Sequence, residues 1–209
     1  MRYSPQIVID NPSSICSLGW RPLLVTGMLV QEVRDLFSAP DRMEHANLRE
    51  YLWRSRLDTS TIVVESTTRW DPNLTSNRPA ILVRRNDWQV QRLGIGDKMM
   101  MQTSLDGWER FSVLMCGSHT LFCLAREAGE CETLATEVYL QLMQFGPKLR
   151  QTLDLTRFVV VQIGKVAPVL ESREHFGVPI TVAYAHNQSW TIRKHTPVLN
   201  SFALEKFVP

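Results

Sequence analysis

Cys116, His119, Cys123 and Cys131 lie close together, and thiolate and imidazole are the usual ligands of zinc. On a regular strand, however, side chains alternate between faces, so Cys116 points away from the face that His119 and Cys123 share, and the spacing matches no common finger. Buried thiols are the expected reading. Ser118-His119 and Glu171-Ser-Arg-Glu-His175 carry the side chains of a hydrolase, but no G-x-S-x-G elbow accompanies them. Neighbours on a strand also point apart, which a serine and its general base cannot do. Gly94-Ile-Gly96 precedes Asp97 and Lys98, yet Met99 stands where a dinucleotide fingerprint needs glycine, so a tight turn is expected. The residues therefore predict no catalytic group, no metal site and no cofactor. A basic run of Arg69, Arg78, Arg84, Arg85, Arg92 and Lys98 is interrupted only by Asp71, Asp87 and Asp97. It suits a solvated sheet face, or contact with phosphate or an acidic partner.

The elements that must position these residues can be read from periodicity. Residues 1–20 hold Pro5, Asn11, Pro12, Ser13, Ser14, Ser17 and Gly19, a turn-rich stretch expected to form an N-terminal arm outside the core. Val25, Leu29, Val33 and Leu36 recur at helical spacing between Pro22, suited to a first turn, and Pro40, a stop. A helical turn around His45–Trp53 and a strand over Thr59–Glu65 follow. Asp71-Pro-Asn73 and Ser76-Asn-Arg-Pro79 mark a connector. Ala80–Arg84 and Trp88–Leu93 predict two strands joined through Arg85-Asn-Asp87 as a hairpin. Gly94–Gly107 has no clean period and is expected to be a long inter-strand loop or hairpin tip. A strand over Glu109–Ala125, bent at Gly117, follows.

Cys131, Leu134, Ala135, Val138, Leu142 and Phe145 line one face of the strongest helix, stopped at Gly146-Pro147, with a short second helix to Leu153. Arg157–Ile163 has apolar residues at both parities, predicting a strand buried on two sides. His175–Ile192 alternates, with Pro179 arguing for an edge or a bulge. Thr196–Pro209 is an apolar tail expected to dock on its own domain or a neighbour. Helix, strands, helix, strands without a βαβ rhythm is an α+β domain over residues 21–193: a mostly antiparallel sheet packed by helices on one face, flanked by arms at 1–20 and 194–209.

Composition narrows the function classes. Among 209 residues, 23 Lys and Arg against 21 Asp and Glu leave a formal charge of +2, too small to drive general nucleic-acid or membrane binding. Phe158-Val-Val-Val161 and similar runs are far shorter than the roughly 20 residues of a spanning helix, and residues 1–10 lack the apolar core of a secretory leader. Four scattered cysteines suit a reducing cytosol. Six tryptophans fit cores and interfaces alike.

Arg78-Pro-Ala-Ile-Leu-Val-Arg-Arg-Asn-Asp-Trp88 with Arg92-Leu-Gly-Ile-Gly-Asp97, then Gly117-Ser-His-Thr-Leu-Phe-Cys-Leu-Ala125, the Glu127–Phe145 helix, and Glu174-His-Phe-Gly-Val-Pro-Ile-Thr-Val-Ala-Tyr184 with Trp190 follow in order. Together they resemble tailed-bacteriophage neck proteins, most closely the tail terminator (tail completion) family, over about Leu23 to Leu199. The resemblance implies a non-enzymatic virion protein, assembled in the host cytoplasm, that forms a homo-hexameric ring on the head-proximal end of the tail tube. Such a ring ends tube growth at the length set by the tape measure protein, offers a docking surface to the head-tail stopper or connector, and lets DNA through its lumen without specific binding. By the same likeness the Gly94–Gly107 loop projects toward the lumen or the tube, with Lys98, Met99, Met100 and Met101 as contact candidates. Arg84, Arg85 and Arg92 of the basic run and Phe202, Leu204 and Phe207 of the apolar tail are candidates from their residue types. Adaptable methionines suit a partner that repeats with small mismatches. The alternatives are a head-tail stopper or adaptor one ring nearer the capsid, and a small cytosolic hydrolase using His119 or His175.

Overall fold

A computed structural model describes residues 12–56, 59–69, 78–91, 100–103, 108–169 and 172–193. Helix α1 spans Pro12–Ser38 and α2 spans Ala128–Thr152, with two 3-10 turns at Pro40–Arg42 and Ala46–Leu48 between α1 and the sheet. The strands are β1 (Val63–Ser66), β2 (Ala80–Gln91), β3 (Met100–Thr103), β4 (Trp108–Ala125), β5 (Arg157–Ile163), β6 (Ala167–Val169) and β7 (Ser172–Arg193). Among the described residues they form one mixed sheet in the order β1-β2-β4-β7-β5, with β3 beside β4 and β6 beside β7. Of the described strand pairs, β1 and β2 alone run parallel. The fold is α+β, with both helices packed on one face.

Alternation on the strands builds that face. Ile81 and Val83 of β2, Leu121 and Cys123 of β4, and Val178, Ile180 and Val182 of β7 bury against Val25, Leu29, Val33 and Phe37 of α1 and Leu134, Val138 and Leu142 of α2. Each large aliphatic side chain removed from water there contributes about 1.5–3 kcal/mol before entropy is charged. The opposite parities, Ala80, Leu82 and Leu124 with Val63, make a smaller cluster on the other face.

Several expected boundaries move. Helix α1 begins at Pro12, ten residues before Pro22 and within the expected N-terminal arm, and Pro22 lies inside it. Pro12 is itself suited to a first turn, and an internal proline removes one hydrogen bond without forbidding helix before it. The helical turn expected over His45–Trp53 is a 3-10 turn at Ala46–Leu48 followed by a turn and irregular chain. Buried Glu137 of α2 holds that segment, accepting the Glu44 N–H at 2.9 Å, the His45 N–H at 3.2 Å and a 2.7 Å contact with His45 Nδ1. Thr59–Thr61 precedes β1 as a turn, bonded back to the chain at Leu52 and Arg56.

The hairpin expected at Arg85-Asn-Asp87 is a bulge in one continuous strand, β2. Asn86 Nδ2 donates to Ser118 Oγ at 3.1 Å and to Thr120 Oγ1 at 2.9 Å across to β4, so the turn-forming residue bonds to the neighbouring strand and pairing resumes at Trp88. Strand β4 runs on through Gly117 without a register shift against β7. Gly117 serves a close approach instead. Met100–Thr103 pairs with β4, so part of the expected Gly94–Gly107 loop is strand.

Helix α2 continues through Gly146 and Pro147 as one element to Thr152, because Leu149 in its last turns is fully buried and carries the apolar stripe past the proline. Strand β5 has partly or fully exposed residues throughout and borders the sheet, so it is not buried on both sides. Pro179 sits in central strand β7, opposite Phe122. The Gly164 N–H donates to its carbonyl at 2.7 Å, so the side of Pro179 that lacks a donor faces the break between β5 and β6.

Candidate functional site

Arg84 and Arg85 are neighbours on β2 and therefore leave the sheet on opposite faces. The Arg84 guanidinium stacks over the Phe122 ring at 4.7 Å, on the face away from the helices. Arg85 lies on the helix face, where its charge reaches His119 and Tyr184. These two arginines do not form one basic surface. Met100 and Met101 belong to β3. Arg92, Lys98, Met99, Phe202, Leu204 and Phe207 lie outside the described residues.

The helix face instead carries a buried polar group at the level of Gly117. Trp88 Nε1 donates to Tyr184 Oη at 2.9 Å, Trp88 lies against His186 with ring centroids 5.3 Å apart, and His119 lies 5.5 Å from the Tyr184 ring. A Cβ on Gly117 would meet Trp88 Nε1 at 2.4 Å and Tyr184 Cζ at 2.8 Å, so glycine is what lets the two rings cross β4. Thr26 of α1 donates its hydroxyl to Pro22 O at 2.9 Å and sits 2.7 Å from His119 Nε2. With the hydroxyl proton committed to Pro22, His119 donates from Nε2, and Nδ1 is left as a buried acceptor without a hydrogen-bond partner among the described residues. Burial lowers the His119 pKa to about 4, and the Arg85 charge adds to the effect. Neutral His119 thus ties helix to sheet.

The chemistry considered from the sequence is distributed by strand parity. Ser118 turns to the face opposite His119, where it accepts from Asn86. His175 also lies on that opposite face, since the even-numbered residues of β7 face the helices. Cys116 contacts Gln91 Oε1 at 3.2 Å on the outer face, away from Cys123. Cys123 and Cys131 are buried together, and the Cys131 thiol donates to Cys123 O at 3.0 Å. Burial pushes the Cys131 thiol up to about 11 and raises that of Cys123 as well, which keeps both protonated and unreactive at neutral pH. Among the described residues no three His, Cys, Asp or Glu side chains converge as a ligand set.

Surface apolar residues give a different site. Val161 and Ile163 on β5 are 60% and 43% exposed, and Met143 on α2 is 51% exposed. Between β5 and α2 runs a groove of about 270 Å³, lined by Leu142, Met143, Gly146, Arg150, Phe158 and Val160 among others. A separate pair, Leu23 and Leu24, is exposed on α1 at 65% and 47%, on the helix that covers β1 and β2 rather than β5. Comparison with family models and with curated proteins finds no match for the chain.

Sequence reasoning missed the groove because the apolar run Phe158–Val161 was read as a core strand. The flanking Arg157 and Gln162 were the available signal of an edge. A second cleft, of about 480 Å³, lies beside Tyr51, Ser60, Thr61, Arg78, Arg126 and Glu130. Its groups bond to one another or to backbone: Tyr51 to Glu130, Arg78 to Ser60 O at 2.6 Å, and Thr61 to Glu50 O at 3.0 Å. It is a cross-braced surface more than a receptor.

Proposed function

We propose that this chain is a structural neck subunit of a tailed phage, a tail terminator whose copies close into a hexameric ring, cap the tail tube and present a docking surface to the head connector. The observation that carries the reading is the presence of two different exposed apolar patches on one subunit, Leu23-Leu24 on α1 and Val161, Ile163 and Met143 beside β5. Closed rings are built from heterologous contacts, which need two unlike complementary patches on each subunit. The α+β fold and the ordered strings that resemble tail terminators support the same reading. The near-balanced charge of +2 suits a lumen that passes DNA without holding it.

Deletion of the gene in the producing phage tests the function. Tails of uncontrolled length, or tails unattached to heads, are the expected result in electron micrographs. Normal infectious particles from the deletion would remove the proposal, and co-purification of the chain with portal in tail-less heads would move it to the stopper position.

A further inference from the structure

We propose that the C-terminal segment Phe202–Val208 of one copy adds a strand to the outer edge of β5 in the next copy, with alternate apolar side chains seated in the β5–α2 groove. The inference rests on the ring reading and names one contact between neighbouring copies, the one that takes up the β5 side of the subunit.

The two edges of the sheet differ. At β1, Arg34 of α1 donates from Nε and Nη2 to Val64 O at 3.1 and 3.0 Å and pairs with Glu65, so a side chain already occupies that edge. Strand β5 pairs with β7 on one side and, among the described residues, with no strand on the other. It presents Val161 and Ile163 to water. An apolar edge of this kind is a template for another strand unless it is blunted. The register shift between Val160 and Gln162 marks an irregularity at Val161, so an added strand would pair regularly along Arg157–Val160 and end beside Val161.

The chain has a segment that suits the edge. Residues 194–209 lie outside the described residues and follow β7 directly. Phe202, Leu204 and Val208 fall on even positions there, with Lys206 among them, so on an extended strand three apolar side chains share one face. Reach favours a neighbour as the donor. Ala185 pairs with Arg157 at the start of β5, and β7 continues to Arg193, about 26 Å farther at strand rise. A segment returning to β5 of its own copy would spend about half of its maximum span of roughly 50 Å retracing that distance. It would then run parallel to β5, the weaker pairing.

The test uses full-length protein, alone and mixed with purified tail tubes. Leu204→Asp and Val161→Lys are each expected to weaken self-association about tenfold or more, as loss of an anchor residue does. The double variant should be little worse than either single one, because each alone already undoes the same strand pairing. Sedimentation velocity reads the association, and circular dichroism checks that each variant is folded. Copies carrying Val161→Cys mixed with copies carrying Ala203→Cys should give a disulfide-linked dimer that neither gives alone. If wild-type rings form and both variants leave them intact, or if the cysteines join only when placed in one chain, the strand-addition proposal is wrong and the ring reading stands. If wild-type protein stays monomeric even on tail tubes, the ring reading falls and takes this contact with it.

Discussion

Gly117 shows how much one missing methyl group can decide. The crossing of Trp88 and Tyr184 over β4 leaves less than 3 Å for a Cβ at that position, below any real contact distance. Gly117→Ala should therefore destabilise the fold by about 3 kcal/mol, at the upper end of overpacking costs, as measured by denaturant midpoint. Loss of the Trp88–Tyr184 hydrogen bond should accompany it. His119 makes a different prediction. Its pKa falls from an ordinary 6.5 to about 4 in the folded chain, so between those values the unfolded state binds more protons than the folded one. Stability is fully present above about pH 6.5 and declines as pH falls toward 4, by about 3 kcal/mol in all. His119→Gln should flatten that part of a stability-against-pH curve while leaving the neutral-pH fold in place. The strand alternation that separated Cys116 from His119, and His119 from Ser118, was legible from the residues alone. The Thr26–His119 tie was not, because periodicity cannot say which helix turn lands over which strand.

At the scale of elements, the sequence misled wherever a residue with a strong local preference was overruled by packing. Gly146-Pro147 reads as a stop, yet the stop of α2 lies at a motif with no glycine. Leu155 N–H donates to Arg150 O at 2.8 Å and Asp154 N–H to Gln151 O at 3.2 Å, while Asp154 takes φ 50° and Leu155 is buried. These are the paired bonds and apolar contact of a Schellman ending, with aspartate in the left-handed position that glycine usually fills. Asp154→Val should be less stable than Asp154→Gly by about 1–2 kcal/mol, since a β-branched side chain resists that region; thermal denaturation of the two variants checks it. In β2, likewise, the turn-forming Asn86 found partners on β4, and a predicted hairpin became a bulge. The apolar parity of β5 was legible, but its edge position depends on sheet order, which a single strand does not encode.

For the whole molecule, the α+β class and the single helix-covered face followed from element order and amphipathicity alone. The strand order did not, because β7 meets β4 only through pairings distant in sequence and β5 joins the sheet through β7. Those pairings have a consequence in time. Strand β7 pairs with β4 over the full length of β4, from Trp108 with Arg193 to Ala125 with Phe176, and it also carries β5 and β6. The shortest loop that this pairing closes holds about 50 residues and the longest about 85, and each must be closed before its contacts repay the lost entropy. Such topologies fold on a scale of milliseconds to seconds, slower than helical proteins of the same size. While β7 is unplaced, the inner edges of β4 and β5 both stand open, so the interval before β7 inserts is when a newly made chain is most exposed to pairing with the wrong copy.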